Sequence, residues 1–426
     1  VSEETTWRTP QAASHVADVV RGWVGAPPTV VVEDLPDDLA RLLLRVEETE
    51  HAHRDQWGCW EHGFSENFRR GRLWVPEIDL WVTAERRRLA METRLEPLWP
   101  DGASFALCLT HDVDMVARRW TASQHARSLS AALRGSTGDT DEQAARRKAS
   151  AAARAVARVP YFGVSRAPDS ADTLERCVEL ERSRGVTASY LFTVYPPRRK
   201  TIYDAVYAGA DNCQFRGKTR KVGEIARELR EEGFDVGLHA GYASASDLDA
   251  FSYEKRVVED YIGGDVVSCR QHYLHWHVGA TPRIQSEAGI LVDSTVGYNR
   301  NVGFRAGTGL PHRLFDLAAD ESLNVLEVPL IIQESPLLSS NALELDLPLA
   351  ERTMKDLIDC IAETGGVATL LFHPHSLAQP AYLSLFSWAL DYARDRGAWV
   401  ANLRAIHGWW EERAARLQRT VVVPAR

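Results

Sequence analysis

The sequence predicts an α/β protein: a (β/α) barrel over about the last three-quarters of the chain, preceded by a mainly helical region. Three observations carry this. From Ser104 onward, short apolar runs alternate with helical stretches, the pattern of a parallel sheet with crossover connections. About seven or eight such runs follow one another, which favours a barrel over an open sheet. Asp, His and Arg residues stand just past several of these runs, where a barrel of this kind gathers its chemistry.

The elements follow in order. Residues 1–100 read as a separate accessory region, with 101–426 as the barrel. Within the first region, Asp37–Glu50 has helical spacing, with Leu39, Leu42, Leu43 and Val46 on one side. Trp57, Trp60, Trp74 and Trp81 cluster here, either as core aromatics or as a surface for stacking sugars. Phe105–Thr110 is the first strand. Residues 118–160 are rich in Arg and Ala, with Gly135, Ser136 and Gly138 near the middle, and predict two surface helices around a turn. Ala171–Arg184 is a helix ended by Gly185, and Thr187–Val194 a strand. Gly223–Glu232 is a helix ended by Gly233, then Asp235–Leu238 a strand. Val257–Ile262 is helical and Val266–Leu274 extended. Ile284–Ala288 is a short helix, with Ile290–Ser294 and Asn324–Ile332 as strands. Leu349–Thr364 and Leu383–Arg396 are helices around the strand Val367–Phe372. Trp399–Leu403 is the last strand, and a helix runs from Ala405 to Leu417, where Trp409 and Trp410 read as packing residues.

Composition narrows the class. Hydrophobic residues are 45% and charged residues 26%, which excludes disorder, collagen-like repeats and coiled coil as the main architecture. The net charge is −9, so nucleic acid is not the expected partner. Of the 50 basic residues 44 are arginine, a codon-bias signal first and a phosphate- or carboxylate-recognition signal second. No apolar run reaches the ~18 residues of a membrane span. The first residues lack a basic stretch followed by an apolar one, and the six cysteines are scattered without a CxxC pair. Both features predict a cytoplasmic protein with reduced thiols.

Four motifs sit at predicted strand ends. Thr110-His111-Asp112-Val113-Asp114 offers two carboxylates at i and i+2, one able to bind a cation and one able to act as a base; acidic pairs after strands also serve as helix caps. Gly237-Leu238-His239-Ala240-Gly241 offers a single histidine, which is also a common hydrogen-bonded structural residue. Cys269-Arg270-Gln271-His272-Tyr273 carries an arginine that needs a carboxylate if buried, and Asp112 is the natural partner. Leu371-Phe372-His373-Pro374-His375 places His373 at a strand mouth. Together they supply oxygen and nitrogen metal ligands, a carboxylate base, an arginine and an imidazole acid, a set suited to metal-assisted hydrolysis.

The order and content of these motifs resemble the polysaccharide deacetylase superfamily (NodB homology, carbohydrate esterase family 4), from about Ser104 to Arg413. The family's TFDD motif is similar to Thr110-His111-Asp112 with Asp114 following, which implies Asp112 as catalytic base and Asp114 as metal ligand. The extra residue Val113 leaves the exchange of these two roles open. The family's H(S/T)xxH motif is matched by His239, but Ala243 stands where the second histidine ligand belongs. The family's RxPY motif is similar to Arg270-Gln271-His272-Tyr273. It implies that Arg270 holds the base and that the Tyr273 N–H helps bind the oxyanion. His272, in the proline position, is the first choice for the missing ligand, with His275 and His277 as substitutes. The segment Asp293-Ser294-Thr295 followed by Gly303–Thr308 is similar to the family's groove-lining region. It makes Asp293 an orienting residue and Arg305 either a substrate contact or a loop salt bridge. His373 matches the histidine that protonates the leaving amine, with His375 as stand-in.

The resemblance implies a distorted (β/α) barrel of about seven strands and one divalent metal ion, Zn2+ first. The reaction expected is removal of an acetyl or formyl group from nitrogen on an amino-sugar-containing substrate, either a small molecule or a glycan. Two other readings stand beside it. One is hydrolysis of a cyclic amide or ureide within the same superfamily. The other is a barrel that binds carbohydrate without catalysis, favoured by the missing histidine. Oligomeric state is left open by the sequence.

Overall fold

The computed structural model describes residues 7–51, 53–55, 57–116, 170–201, 203–205, 207–340 and 342–419. The helices predicted within 118–160 lie outside these residues. The strands are β1 (Phe105–Val113), β2 (Ser189–Phe192), β3 (Asn212–Phe215), β4 (Lys218–Lys221), β5 (Asp235–Ala240), β6 (Ser268–Gln271), β7 (Val292–Asp293), β8 (His312–Asp316), β9 (Glu321–Glu327), β10 (Ile332–Gln333), β11 (Val367–Leu371) and β12 (Ala398–Ala401).

Ten of them form one sheet in the order β10-β11-β1-β2-β5-β6-β7-β9-β8, with β12 also paired to β1. All its pairings are parallel except the β8–β9 hairpin. The near-continuous apolar runs explain this, because strands buried on both faces need no polar alternation; every residue of β1 is buried. β9 and β10 sit at or near opposite ends of the order, yet only Val328–Ile331 separates them in the chain. The sheet therefore curls until its two ends meet on one chain segment. Counting that interrupted strand once, the barrel positions are β1, β2, β5, β6, β7, β9–β10 and β11. The fold is a distorted (β/α) barrel with a mainly helical N-terminal extension, as the sequence predicts.

The helices between strands are amphipathic and capped by ordinary chemistry. Asp247 caps the helix Leu248–Ile262 by accepting from the Ala250 N–H, and Gly263 ends it at φ 65°. Asp346 and Gly365 do the same for Leu347–Thr364. This is why glycine-terminated segments were legible as helices.

Three local expectations change. The helix predicted over Asp37–Glu50 is two pieces, Asp37–Leu43 and Glu47–Glu50. Between them Arg45 takes φ 54° and turns its guanidinium inward, where it lies 4.7 Å from the Trp276 ring. The hairpin β3–β4 was not foreseen; its turn is Arg216-Gly217, both at positive φ, a two-residue hairpin turn. β8 was also missed, because its polar ends hide a short strand.

The extension packs on the barrel through a continuous apolar core that includes Val20, Trp23, Leu43, Ile78 and Val82 with Leu314, Val325 and Ile358. Trp23 donates its indole N–H to the Pro311 carbonyl at 2.7 Å. Of the tryptophan cluster, Trp60 is buried, Trp81 packs against the core and Trp74 is 40% exposed. Trp57 lies on the barrel mouth. Trp409 and Trp410 pack against Leu98 and Trp99.

Candidate active site

The period-two alternation of a strand decides which side chains of Thr110–Asp114 share a face. Thr110, Asp112 and Asp114 point into the barrel mouth, and His111 points the other way. In the β5–β6 register His239 lies beside Arg270. These two short facts bring together residues more than a hundred positions apart.

Arg270 is fully buried, and each of its guanidinium nitrogens is hydrogen-bonded. Its guanidinium donates to Asp112 Oδ1 at 2.8 Å, Thr110 Oγ1 at 3.0 Å, Ser294 O at 2.6 Å and Ser294 Oγ at 2.8 Å. Burial alone would raise the Asp112 carboxyl; the charges of Arg270, His239 and His373 outweigh it and hold it below the usual carboxylate value.

Asp114 lies just past the strand. Its Oδ1 is 3.2 Å from His239 Nε2 and 3.5 Å from His272 Nε2, and the three atoms lie within 4.8 Å of one another. Burial opposes ionisation of Asp114 too, but His272, His239 and His373 keep it strongly acidic. His239 Nδ1 faces the Arg270 carbonyl at 3.0 Å, which fixes the ring and aims Nε2 at Asp114. Burial pushes His272 down to about 4, so its ring is neutral. His239 is raised, because Asp112 and Asp114 outweigh the burial that would lower it.

His373 closes the constellation. Its Nε2 is 3.5 Å from Asp114 Oδ2, and its Nδ1 is 2.6 Å from Glu334 Oε1, which also accepts the His373 backbone N–H at 3.1 Å. Burial would lower His373; the fully buried Glu334 carboxylate dominates and raises it to about 10. Sequence reasoning missed Glu334. Its signal was a carboxylate just past the predicted strand Asn324–Ile332.

The cleft encloses about 260 Å3. Its lining includes Asp112, Asp114, His239, His272, Tyr273 and His373. Tyr273 sits in a short turn after β6 at φ 58°, and its ring faces Trp57 at 5.9 Å between centroids. Such a strained, non-glycine backbone is typical of functional positions. Trp57, which the sequence left open between core and sugar-stacking roles, also lines the cleft, as do Asn299, Arg300 and Gln333, which were not singled out from sequence.

The remaining expected residues lie elsewhere. Arg305 is 2% exposed and binds Glu48 through two bonds of 2.9 and 2.7 Å and Gly297 O at 3.0 Å, so of the two roles open for it the structure places it in the salt bridge. Asp293 ends β7, is fully buried and accepts from the Thr295 hydroxyl at 2.6 Å. Ser294, between them in sequence, is the residue that reaches Arg270. Ala243 lies in the short turn Tyr242–Ser246 and supplies no ligand atom. His275 and His277 pair with each other, Nε2 to Nε2 at 3.1 Å, with His275 Nδ1 on the Tyr242 carbonyl.

Asp114, His239 and His272 fit a divalent metal. Asp114 Oδ1 is shut off from solvent without an aligned hydrogen-bond donor, and the two imidazole nitrogens converge on it. A second cluster of possible ligands, His111 with Cys177 and Glu181, is fully buried and does not line the cleft. Both nitrogens of its ring are engaged, Nδ1 with the Phe372 carbonyl and Nε2 with Glu181, each at 2.7 Å. Burial would lower His111, but Cys177 and Glu181 raise it well above its usual value.

No family model matches the chain, and no curated protein matches it. Solved structures do. A Mycobacterium smegmatis protein assigned to the polysaccharide deacetylases is 16% identical, with a TM-score of 0.46, covering 77% of this chain and 95% of that one. A Pseudomonas aeruginosa PAO1 protein assigned likewise is 15% identical, with a TM-score of 0.46 over 75% and 95%. The allantoinase Puue is 13% identical, with a TM-score of 0.47 over 75% and 95%.

Proposed function

We propose that this chain is a divergent polysaccharide-deacetylase-like hydrolase that removes an N-acyl group, acetyl or formyl, from an amino-sugar-containing substrate. The observation that carries the reading is the convergence of three units on one cleft. These are the Asp114–His239–His272 ligand set, the Asp112–Arg270 pair and the His373–Glu334 pair.

Asp114, His239 and His272 would hold one divalent ion, with Zn2+ the first choice for an O, N, N donor set. Such an ion lowers the pKa of a bound water and polarises an amide carbonyl. Asp112 accepts the proton of the attacking water, held ionised and in place by Arg270. The Tyr273 N–H serves the developing oxyanion. His373, kept protonated by Glu334, donates to the departing nitrogen. The products are an amine and a short carboxylate. Residues 1–100 form an accessory region that shapes the mouth of the cleft through Trp57. Six free thiols suit a reducing compartment, and no helix among the described residues is long and apolar enough to cross a membrane.

The test is metal content per chain, measured on protein purified without chelators or a His tag, followed by acetate and formate release from N-acylated amino sugars. About one equivalent of metal, and acyl release lost in Asp112→Asn, is the expected result. Failure to bind Zn2+, Co2+ or Mn2+ would overturn the ligand set, and the barrel would then be a binding module. Metal uptake with ring opening of a cyclic ureide and no acyl release would move the chain to the allantoinase-like chemistry.

A further inference from the structure

The chain leaves β6 through a turn that few side chains tolerate. Tyr273 and Leu274 follow one another at φ 58° and 50°, both in the left-handed region that favours glycine. Two such residues in succession persist only where their surroundings hold them. Leu274 is buried with Leu330 and Leu371. The Tyr273 ring meets Trp57 and Tyr203, at 5.9 and 5.4 Å between centroids. The Tyr273 carbonyl accepts two hydrogen bonds, from Asn299 Nδ2 at 2.6 Å and from Cys59 Sγ at 3.1 Å. Those two donors use both of its lone pairs.

Trp57 and Cys59 come from the N-terminal extension, and their loop is built to reach this carbonyl. Asp55 Oδ1 accepts the Trp57 and Cys59 N–H groups at 2.8 and 2.9 Å, and the Asp55 N–H donates to the Cys59 carbonyl at 2.8 Å. Gly58 takes φ 73° where a Cβ would stand 3.2 Å from both His275 Nε2 and the Tyr242 hydroxyl. That hydroxyl donates to the Trp57 carbonyl at 2.6 Å. Cys59 is buried; burial, and to a lesser degree Asp55, raise its thiol to about 12, so it keeps the proton that it donates. Asn299 reaches the same carbonyl from the barrel, where it lines the cleft. A wall needs only side chains set against the ligand. This loop instead bonds the backbone of the turn that leaves β6.

We propose that Asn299 and Cys59 are positioning residues: they lock the Tyr273 turn in the left-handed form that presents its N–H to the developing oxyanion. The extension is then part of the catalytic apparatus as well as a wall of its cleft. This rests on the hydrolase reading above. The chemistry asks for such a lock, because a donor stabilises an oxyanion best when it is aimed before the charge develops. Neither side chain acts on the reacting atoms, so losing them should slow the chemical step more than it weakens binding.

The experiment uses the full chain saturated with Zn2+, with Asn299→Ala, Cys59→Ala, their double variant and Cys59→Ser. Acetate release from N-acetylglucosamine gives kcat and KM. Hydrogen–deuterium exchange of the peptide covering residues 272–277, measured without substrate, reads the rigidity of the turn independently of turnover. The double variant should lose at least about tenfold in kcat, with KM changed by less than about threefold. Its amides at the turn should exchange at least about tenfold faster, with those of β1 and β5 unchanged. Cys59→Ser keeps an O–H donor and should stay within about threefold of wild type in both readouts. Each single variant carries the same test with a smaller effect should the double variant fail to fold. Unchanged exchange at the turn, or faster exchange with unchanged kcat, would overturn the proposal, as would a loss confined to KM. Absence of acyl release by the wild type would sink the hydrolase reading instead, and the lock on the turn would then stand or fall on exchange alone.

Discussion

Glu48→Ala should be among the most destabilising single changes in the protein outside the site. Glu48 is 3% exposed and Arg305 2% exposed, and they are joined by two bonds of 2.9 and 2.7 Å. Removing the carboxylate leaves a guanidinium buried, with the buried Arg45 cation acting on the same carboxylate from nearby. Hydrogen bonds to charged groups contribute about 1.5–3 kcal/mol each, and orphaning one partner of a buried pair costs about 3–5 kcal/mol. The expected loss is therefore about 4 kcal/mol, several times that of an ordinary surface change. Urea unfolding at fixed pH measures it as a lower midpoint with an unchanged slope. The double variant Glu48→Ala with Arg305→Met removes both charges and should be more stable than Glu48→Ala alone, because nothing buried is left unpaired. The exposed pair Arg8–Asp37, at 68% and 70% exposure, is the control and should give no measurable change. A Glu48→Ala loss below about 1 kcal/mol, or a double variant as poor as the sum of its parts, would refute the reasoning.

Further outcomes follow from the same geometry. His272→Ala should lower Zn2+ affinity by at least about tenfold in competition with a chromogenic chelator, whereas His275→Ala should leave it near wild type. Glu334→Gln should lower kcat of acyl release by about ten- to a hundredfold with little change in metal content, since it supports the His373 proton donor. Burial raises Asp79 to about 7 against a Thr308 hydroxyl and the Gly309 N–H. The native state then holds a proton that the unfolded chain releases near pH 4, so stability is highest below pH 4 for this group and falls as pH rises to about 7. The change amounts to about 4 kcal/mol, and Asp79→Asn should flatten that part of the stability profile. Gly237→Ala should cost about 1–3 kcal/mol in the same unfolding assay, because its Cβ would sit 2.3 Å from Ser268 Oγ and 2.5 Å from Ser268 O.

Much of the barrel was legible because its strands are buried on both faces and therefore written as apolar runs, and because Gly185, Gly233 and Gly365 punctuate the helices. The reacting groups were legible for a related reason: Asp112, His239, Arg270 and His373 stand where an apolar run gives way to a polar residue. Glu334 stands two residues past the predicted strand Asn324–Ile332, and the intervening Gln333 took the place where the other motifs carry their reacting residue. Arg305 misled because an arginine in a loop is equally suited to substrate and to a carboxylate far away in sequence, and Glu48 lies 257 positions off. Trp57 was ambiguous for a deeper reason. A tryptophan beside other tryptophans looks like core, and only the tertiary placement of the extension sets it on the cleft wall. The broken helix at Arg45 is the same lesson: the apolar spacing from Leu39 to Val46 was real, but a buried cation required the chain to leave the helix.

β1 has β11 along one edge and shares its other edge between two neighbours, β12 beside Phe105–Cys108 and β2 beside Thr110–Val113. The strand that carries the reactive aspartate therefore cannot finish its hydrogen-bond ladder until β12, made long after it, arrives. On the ribosome the lower half of β1 must wait as an open edge while most of the barrel is synthesised around it. Pairings this distant in sequence make folding slow and leave the nascent chain prone to aggregation. Expression yield should therefore depend more on chaperone supply and growth temperature than on the stability of the finished molecule.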